Sequence, residues 1–244
     1  MESTKQRLDV ALAAQGLVAT RSQAESFVRL GEVKVNGQVV TKAGTMVTAA
    51  DRLELTAREQ YVSRAALKLA SVAQALRIDF AHKTVLDVGS STGGFTQFAL
   101  RQGAQKVIAV EVGTNQLHPS LREDPRIELH EKTDIRDFIT THPIDLVVAD
   151  VSFISLREIL PSVARLCTPA TQLVMMVKPQ FEAVTSLYKH KGVIKNDKMR
   201  RAILKDFETW VQQQFVIVDK ADSQVSGAKG NLERFYLLKL ARRT

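Results

Sequence analysis

The chain has 244 residues, 45% of them apolar, with a formal net charge of +8 and one cysteine. That is enough apolar material for one large domain or two unequal ones, and it excludes a disordered chain and an internal disulfide. No stretch approaches the ~18 consecutive apolar residues of a membrane helix, and "MESTKQRLDVALAAQG" lacks a secretory signal, so the protein is expected in the cytoplasm.

In "RLDVALAAQGLV", Leu8, Leu12 and Leu17 fall at helical spacing with Gly16 near the end; "TRSQAESFVRLGE" opens on a Thr or Ser cap and stops at Gly31. Two short helices are predicted. "VKVNGQVV" then sets two β-rich runs around Asn36-Gly37, a strong hairpin signal, and "DRLELT" adds a strand. This order, with Arg7, Arg21, Arg29, Lys34 and Lys42 interspersed, resembles the small α+β RNA-binding module of the S4 type. The resemblance implies an RNA-facing surface on the second helix and hairpin, with Arg7, Arg21, Arg29 and Lys42 on phosphates. The boundary is placed between Thr56 and Gln60, giving a module over 1–57, a linker over 58–63 and a larger domain over 64–244. "YVSRAALKLAS" is predicted to be a helix capped near Ser63, with Lys68 on its first turns and Arg64 available to RNA.

From Lys83 strands and helices alternate: "KTVLDVG", "KVIAVEVG", "RIELHEKTD", "IDLVVADVSF" and "TQLVMMVKP" read as strands, "GGFTQFALRQG" and "LREILPSVARLC" as helices. Near-continuous apolar strands between helices imply a parallel sheet covered on both faces, an α/β fold. "QFVIVDKADSQ" and "ERFYLLKLAR", joined by "VSGAKGN", suit an antiparallel finish. Cys167 reads as a small buried hydrophobe near a helix end, and the five scattered histidines have no metal-ligand spacing, so no metal site is expected. Residues 181–244 carry 13 Lys and Arg against 7 Asp and Glu, concentrated in "YKHKGVIKNDKMRRAILK" with Lys189 and Lys191. A polyanionic partner is one reading of that segment, a solvated lysine-rich face the other.

The stretch "VLDVGSSTGGFTQFAL" breaks from a strand into a glycine loop, Gly89 to Gly94, and resumes as a helix. Such a loop lies at the carboxyl end of a parallel strand, where ligands bind, and Glu111 closes the next strand ~20 residues on, where a carboxylate meets ribose hydroxyls. Phe95 after Gly94 excludes a P-loop, and Ser91 stands where a dinucleotide loop needs its second glycine. Asp87 suits a cationic amino-acid moiety better than a phosphate, which favours S-adenosylmethionine over NAD.

"YVSRAALKL", "DVGSSTGGFT", "DLVVADVSFISL", "VKPQFEA" and "GNLERF" resemble, in order and spacing, the motifs of the hemolysin-A type (TlyA) ribosomal RNA 2′-O-methyltransferases, relatives of the FtsJ methyltransferases. The resemblance implies a Rossmann-like class I methyltransferase domain, a mostly parallel seven-stranded sheet with an antiparallel last strand, behind the S4-type module. It implies a catalytic tetrad at Lys68, Asp150, Lys178 and Glu233. It also implies an S-adenosylmethionine cradle at Asp87, Gly89, Ser90, Ser91, Gly93 and Gly94, with Glu111 on the ribose, Asp134 at the adenine edge and Asp150 near the methyl. A ribose 2′-hydroxyl is a weak nucleophile at neutral pH, so a desolvated lysine, Lys178, is expected to act as base among oriented charges. By the same resemblance Ser152 and Phe153 receive the target nucleotide, a flipped-out one; a core position for Phe153 is equally compatible with the sequence.

The chain departs from the family pattern at Ala65 and Ala66, where glycines are common, at Ser90, where alanine is, and at Asp134, where asparagine is. The expected partner is ribosomal RNA or a ribosomal subunit. An RNA-binding assembly factor without turnover, a small-molecule methyltransferase and a pore former are the competing classes. The complete tetrad, the RNA module and the lack of a membrane-seeking segment count against them in turn.

Overall fold

The computed structural model describes residues 5–18, 21–29, 31–56, 61–183, 192–227 and 230–241. β1 (Gln6–Arg7), α1 (Leu8–Ala14) and α2 (Arg21–Arg29) are followed by β2 (Val33–Val35), β3 (Gln38–Val39), β4 (Met46–Val47) and β5 (Leu53–Leu55). Leu8 and Leu12 of α1 pack with Ala24, Phe27 and Val28 of α2, as the helical spacing requires. Asn36 and Gly37 both take positive φ, 51° and 79°, which matches the right-handed twist of a tight hairpin between β2 and β3. The Asn36 side chain also donates to Asp51 and accepts from Arg52 N, fastening the hairpin to β5. The sequence pattern did not reveal the two-residue pairing of β1 with β4, since strands this short carry no periodicity.

The larger part runs α3 (Arg64–Ala73), β6 (Thr84–Val88), α4 (Gly94–Arg101), β7 (Lys106–Val110), α5 (Pro119–Arg122), β8 (Ile127–His130), β9 (Leu146–Ala149), α6 (Leu156–Arg165), β10 (Gln172–Val177), α7 (Pro179–Glu182), α8 (Asp197–Val211), β11 (Phe215–Asp222) and β12 (Arg234–Leu240). Seven strands lie in the order β11-β12-β10-β9-β6-β7-β8. β6 to β10 are mutually parallel, and β12 runs antiparallel to both its neighbours, β10 and β11. The chain leaves β6 toward β7 and β8, then crosses back to β9 on the other side, so the switch point opens between the carboxyl ends of β6 and β9.

Alternation across the strands builds both faces. Leu86, Val88, Ile108, Val110, Val147 and Met175 point to one side, where Leu160, Leu204 and Phe207 from α6 and α8 cover them. Val85, Val107, Leu146, Val148 and Met176 point to the other, against Leu69 of α3 and Phe95 and Phe98 of α4. Leu67 and Val225 join the apolar cluster of the N-terminal module, and Gln23 Nε2 donates to Tyr61 O, so the two parts touch.

One expectation needs correction, and one segment left open by the sequence takes a definite form. Ser63 occupies the N-cap of α3 with extended backbone, but its hydroxyl makes no capping bond, because the side chain is turned toward α4. The basic stretch after residue 191 is not a uniform charged surface: it holds the 15-residue helix α8, capped by Asn196, whose side chain accepts from Met199 N. Arg200 of that helix is buried, bonded to Leu232 O and paired with Asp222. Lys195, Lys198, Arg201 and Lys205 remain exposed. Lys189 and Lys191 lie outside the described residues, as does the 57–60 stretch where the domain boundary was placed.

Candidate active site

The carboxyl ends of β6, β9 and β10 open into two adjoining cavities of about 780 and 410 Å³, which share Gly89, Ser91, Asp150, Ser152 and Phe153. β6 delivers the glycine loop, β9 Asp150, β10 Lys178 and the turn before β12 Glu233, while α3 brings Lys68 from across the loop. The four predicted tetrad residues therefore line one cavity. Lys68 Nζ lies 2.6 Å from Glu233 Oε2, and Lys178 Nζ lies 2.5 Å from Asp150 Oδ1 and donates to Ser152 Oγ at 2.7 Å. Lys68, Lys178 and Glu233 are buried. Burial pushes the Glu233 carboxyl above the usual range despite the Lys68 ammonium; Asp150 and Lys178 also act on it, so the two ion pairs sense each other.

The loop is built for close approach. Gly89 N and Ser90 N both reach Val110 O, and Gly93 N donates to Ser90 O. A β-carbon on Gly89, at φ 77°, would press to 3.1 Å from Val151 Cγ1 and 3.2 Å from Asp150 O. A β-carbon on Gly94 would meet Ser63 Oγ at 2.2 Å, so α4 and α3 touch through a residue without a side chain. Ser91, at φ 47°, donates its backbone N–H to Glu111 Oε2 at 2.9 Å; Gly113 N donates to Oε1 at 2.8 Å. Glu111 and Asp134 line the smaller cavity. The Asp134 carboxylate is gripped by Arg136, which holds it below the ordinary range.

Asp87 does not line either cavity. Its side chain sits behind the loop, wholly buried, with Oδ2 accepting from Thr96 Oγ1 at 2.6 Å, and burial pushes its carboxyl up to about 7 against that bond. Alternation along β6 is the reason: Asp87 points to the α4 side, where Oδ2 anchors that helix through Thr96 while Oδ1 is buried with no hydrogen-bond partner among the described residues.

Phe153 is not a core residue. It is 92% exposed, at φ 66°, a strained conformation for an aromatic, and its ring stands 5.4 Å from that of Phe181. In the N-terminal module Arg7 and Arg21 converge on the buried Asp9: Arg7 Nε and Nη2 and Arg21 Nε each lie 2.9 Å from its oxygens. Burial raises the Asp9 carboxyl and the two arginines more than reverse it, leaving the group below its ordinary value. Both arginines thus hold the module together while staying partly exposed. Arg29 pairs with Glu25, Lys42 is exposed, and Arg64 lines the larger cavity and reaches Ser226 O. Sequence reasoning assigned no role to Gln180, Phe181 or Glu182, although Pro179 directly after Lys178 signals a helix start there.

A doubly wound sheet with one reversed strand, and a glycine-loop crevice edged by paired lysines and carboxylates, define a Rossmann-like methyltransferase. Residues 61–240 match the FtsJ-like methyltransferase family and residues 6–53 the S4 domain. The chain is 43% identical over 183 residues to the 23S rRNA (cytidine-2′-O)-methyltransferase TlyA of Campylobacter jejuni, covering 73% of this chain and 70% of that protein. It is 36% identical over 240 residues to the 16S/23S rRNA (cytidine-2′-O)-methyltransferase TlyA of Mycobacterium tuberculosis, covering 96% and 89%. The solved structure of a hemolysin candidate from Streptococcus thermophilus superposes with a TM-score of 0.70 at 34% identity, over 97% of this chain and 89% of that one. The chain belongs to the FtsJ-like methyltransferase family, in its TlyA group.

Proposed function

We propose that the protein uses S-adenosylmethionine to methylate a ribose 2′-hydroxyl of ribosomal RNA, with cytidine as the target base. The observation that carries this reading is the two lysine–carboxylate couples, buried Lys68–Glu233 and Lys178 with the half-buried Asp150, that line the glycine-loop crevice. The crevice fits the cofactor by its donor set. Ser63 Oγ and Ser90 Oγ line it and are buried with no hydrogen-bond partner among the described residues, while Glu111 stands at the end of β7 where a ribose is received. Gly89, Ser90, Ser91, Gly93 and Gly94 would cradle the methionine portion, Glu111 the ribose and the Asp134 edge the adenine. When bound, S-adenosylmethionine supplies an electrophilic methyl on a sulfonium.

Lys178 Nζ, having first released a proton to solvent to become the neutral amine, would take the proton of the attacking hydroxyl, with Asp150 fixing where the nitrogen points and Lys68–Glu233 orienting the hydroxyl and steadying the developing negative charge. Phe153 and Phe181 offer a flipped base an exposed aromatic surface beside that nitrogen; the Lys178 ammonium lies 5.9 Å from the Phe181 ring centre. Arg7, Arg21, Arg29 and Lys42 on the module, Arg64 at the crevice and the exposed cations of α8 would meet phosphates, with Lys189 and Lys191 extending that contact. Among the described residues no helix is long and apolar enough to cross a membrane. A cytoplasmic location follows from an RNA substrate of this kind.

The test is transfer of a labelled methyl group from S-adenosylmethionine to purified ribosomal subunits and to naked ribosomal RNA. Label in a ribose of either supports the reading and names the substrate. Measurable cofactor binding with no label on any RNA would favour the assembly-factor reading instead.

A further inference from the structure

Glu182 is a buried carboxylate that the mechanism above leaves unused. It is 1% exposed, and both oxygens are engaged: Oε2 accepts from Ser155 Oγ at 2.6 Å and Oε1 from Leu156 N at 2.8 Å. Arg157 Nε lies 3.4 Å from Oε2, and the same guanidinium reaches Asp206 on α8 at 2.8 Å. A buried carboxylate persists only where its partners compensate for lost water, and Ser155, Leu156 and Arg157, from the first turn of α6 and its cap, are three of them.

The placement of those partners gives the carboxylate its meaning. Glu182 ends α7, and Lys178 is the N-cap of that helix, its carbonyl accepting from Phe181 N and Glu182 N. Ser155 and Leu156 end the loop that leaves β9 at Asp150. The loop is thus tied to the Lys178 segment twice, near its start by Lys178 Nζ to Ser152 Oγ at 2.7 Å and at its end by Glu182. Between the ties stands Phe153, in a backbone conformation that holds only when its surroundings over-determine it.

We infer that Glu182 is a positioning residue for methyl transfer: it locks the Ser152–Phe153 loop onto the helix that begins at Lys178. Base, serine partner and aromatic pair then keep one arrangement while RNA enters. Without Glu182 the loop would hang on the hydrogen bond from Lys178 itself, and a lysine serving as tether is a poorer base. The inference rests on the function proposed above.

Glu182→Ala removes both hydrogen bonds at the loop's end, Ser155→Ala removes one of them, and Glu182→Gln keeps the size and both hydrogen-bonding positions, since the Ser155 hydroxyl can turn to accept from the amide. In single-turnover methylation of ribosomal RNA at saturating cofactor, Glu182→Ala should lose about 100-fold and Ser155→Ala about 10-fold in maximal rate, the scale of a misplacement near 1 Å. Glu182→Gln should recover most of the loss, KM for RNA should change less than the rate, and Ser155→Ala should be non-additive with Ser152→Ala. Amide hydrogen exchange should quicken at 152–156 and not across the sheet. Wild-type maximal rates in Ser155→Ala and Glu182→Ala would overturn the inference. So would exchange that quickens throughout the sheet in Glu182→Ala while Ser155→Ala turns over normally. If the wild-type protein labels no RNA, the proposed function fails, and the exchange comparison still decides whether Glu182 ties the loop.

Discussion

Replacing Gly94 by Ala measures how closely α3 must sit on α4. The new β-carbon would lie 2.2 Å from Ser63 Oγ, 2.9 Å from Ala65 Cβ and 3.0 Å from Ala66 N. The Ser63 hydroxyl can rotate away, but the other two atoms belong to the first turn of α3 and move only with the helix. Restoring ordinary contact, 3.4 Å or more, requires that turn to retreat by about half an ångström. Overpacking of this kind costs about 1–3 kcal/mol, which for a chain of this size lowers the melting temperature by roughly 2–12 °C. Lys68 lies one turn further along α3 with its ammonium 2.6 Å from Glu233, so the retreat also opens that pair, and the rate should fall about 10-fold or more. Thermal melts and single-turnover methylation of ribosomal RNA read the two effects. Adding Ser63→Ala removes the shortest clash and leaves the other two, so it should restore less than half of either loss. A Gly94→Ala protein with wild-type melting and turnover, or full rescue by Ser63→Ala, would refute this view of the α3–α4 contact.

Phe153→Gly relieves a positive-φ aromatic, so the melting temperature should hold or rise, while RNA methylation falls about 10-fold and cofactor affinity stays; unchanged methylation would remove Phe153 from the account. Asp9→Asn leaves Arg7 and Arg21 facing a neutral amide and should destabilise the N-terminal module by about 1–3 kcal/mol. Because the folded Asp9 carboxyl sits below its ordinary value, its stabilisation is present above the ordinary carboxyl range and lost as pH falls through the lower folded value. Denaturant midpoints from about pH 5 down to 2 should therefore drop less steeply in Asp9→Asn than in the wild type, and identical acid profiles would contradict this.

Sequence reasoning reached furthest where local chemistry and global fold agree. Asn36-Gly37 specified its hairpin, and the apolar runs at 84–88, 106–110, 146–149 and 172–177 specified buried parallel strands. α8 was hidden because the charges of "YKHKGVIKNDKMRRAILK" dominate its composition; the apolar stripe Ile203, Leu204, Phe207, Val211 and the Asn196 cap were the available signals. Pairings across long separations were not readable from periodicity at all. Lys68 and Glu233 meet from opposite ends of the larger domain, and only the family resemblance placed them together. The type of Asp87 suggested a ligand, yet the strand's alternation turns it behind the loop onto Thr96. Arg7 and Arg21 read as RNA-facing cations, and their tie to the buried Asp9 was not legible because that carboxylate sits unmarked within an amphipathic helix.

The most direct test of the central claim is to locate the methyl group. Ribosomal RNA treated with the wild-type protein and labelled S-adenosylmethionine should yield label in a ribose that resists alkaline cleavage. Lys178→Ala should lower that yield about 100-fold or more while cofactor affinity, measured by calorimetry, stays within about twofold. Label on a base, or wild-type transfer by Lys178→Ala, would contradict the account.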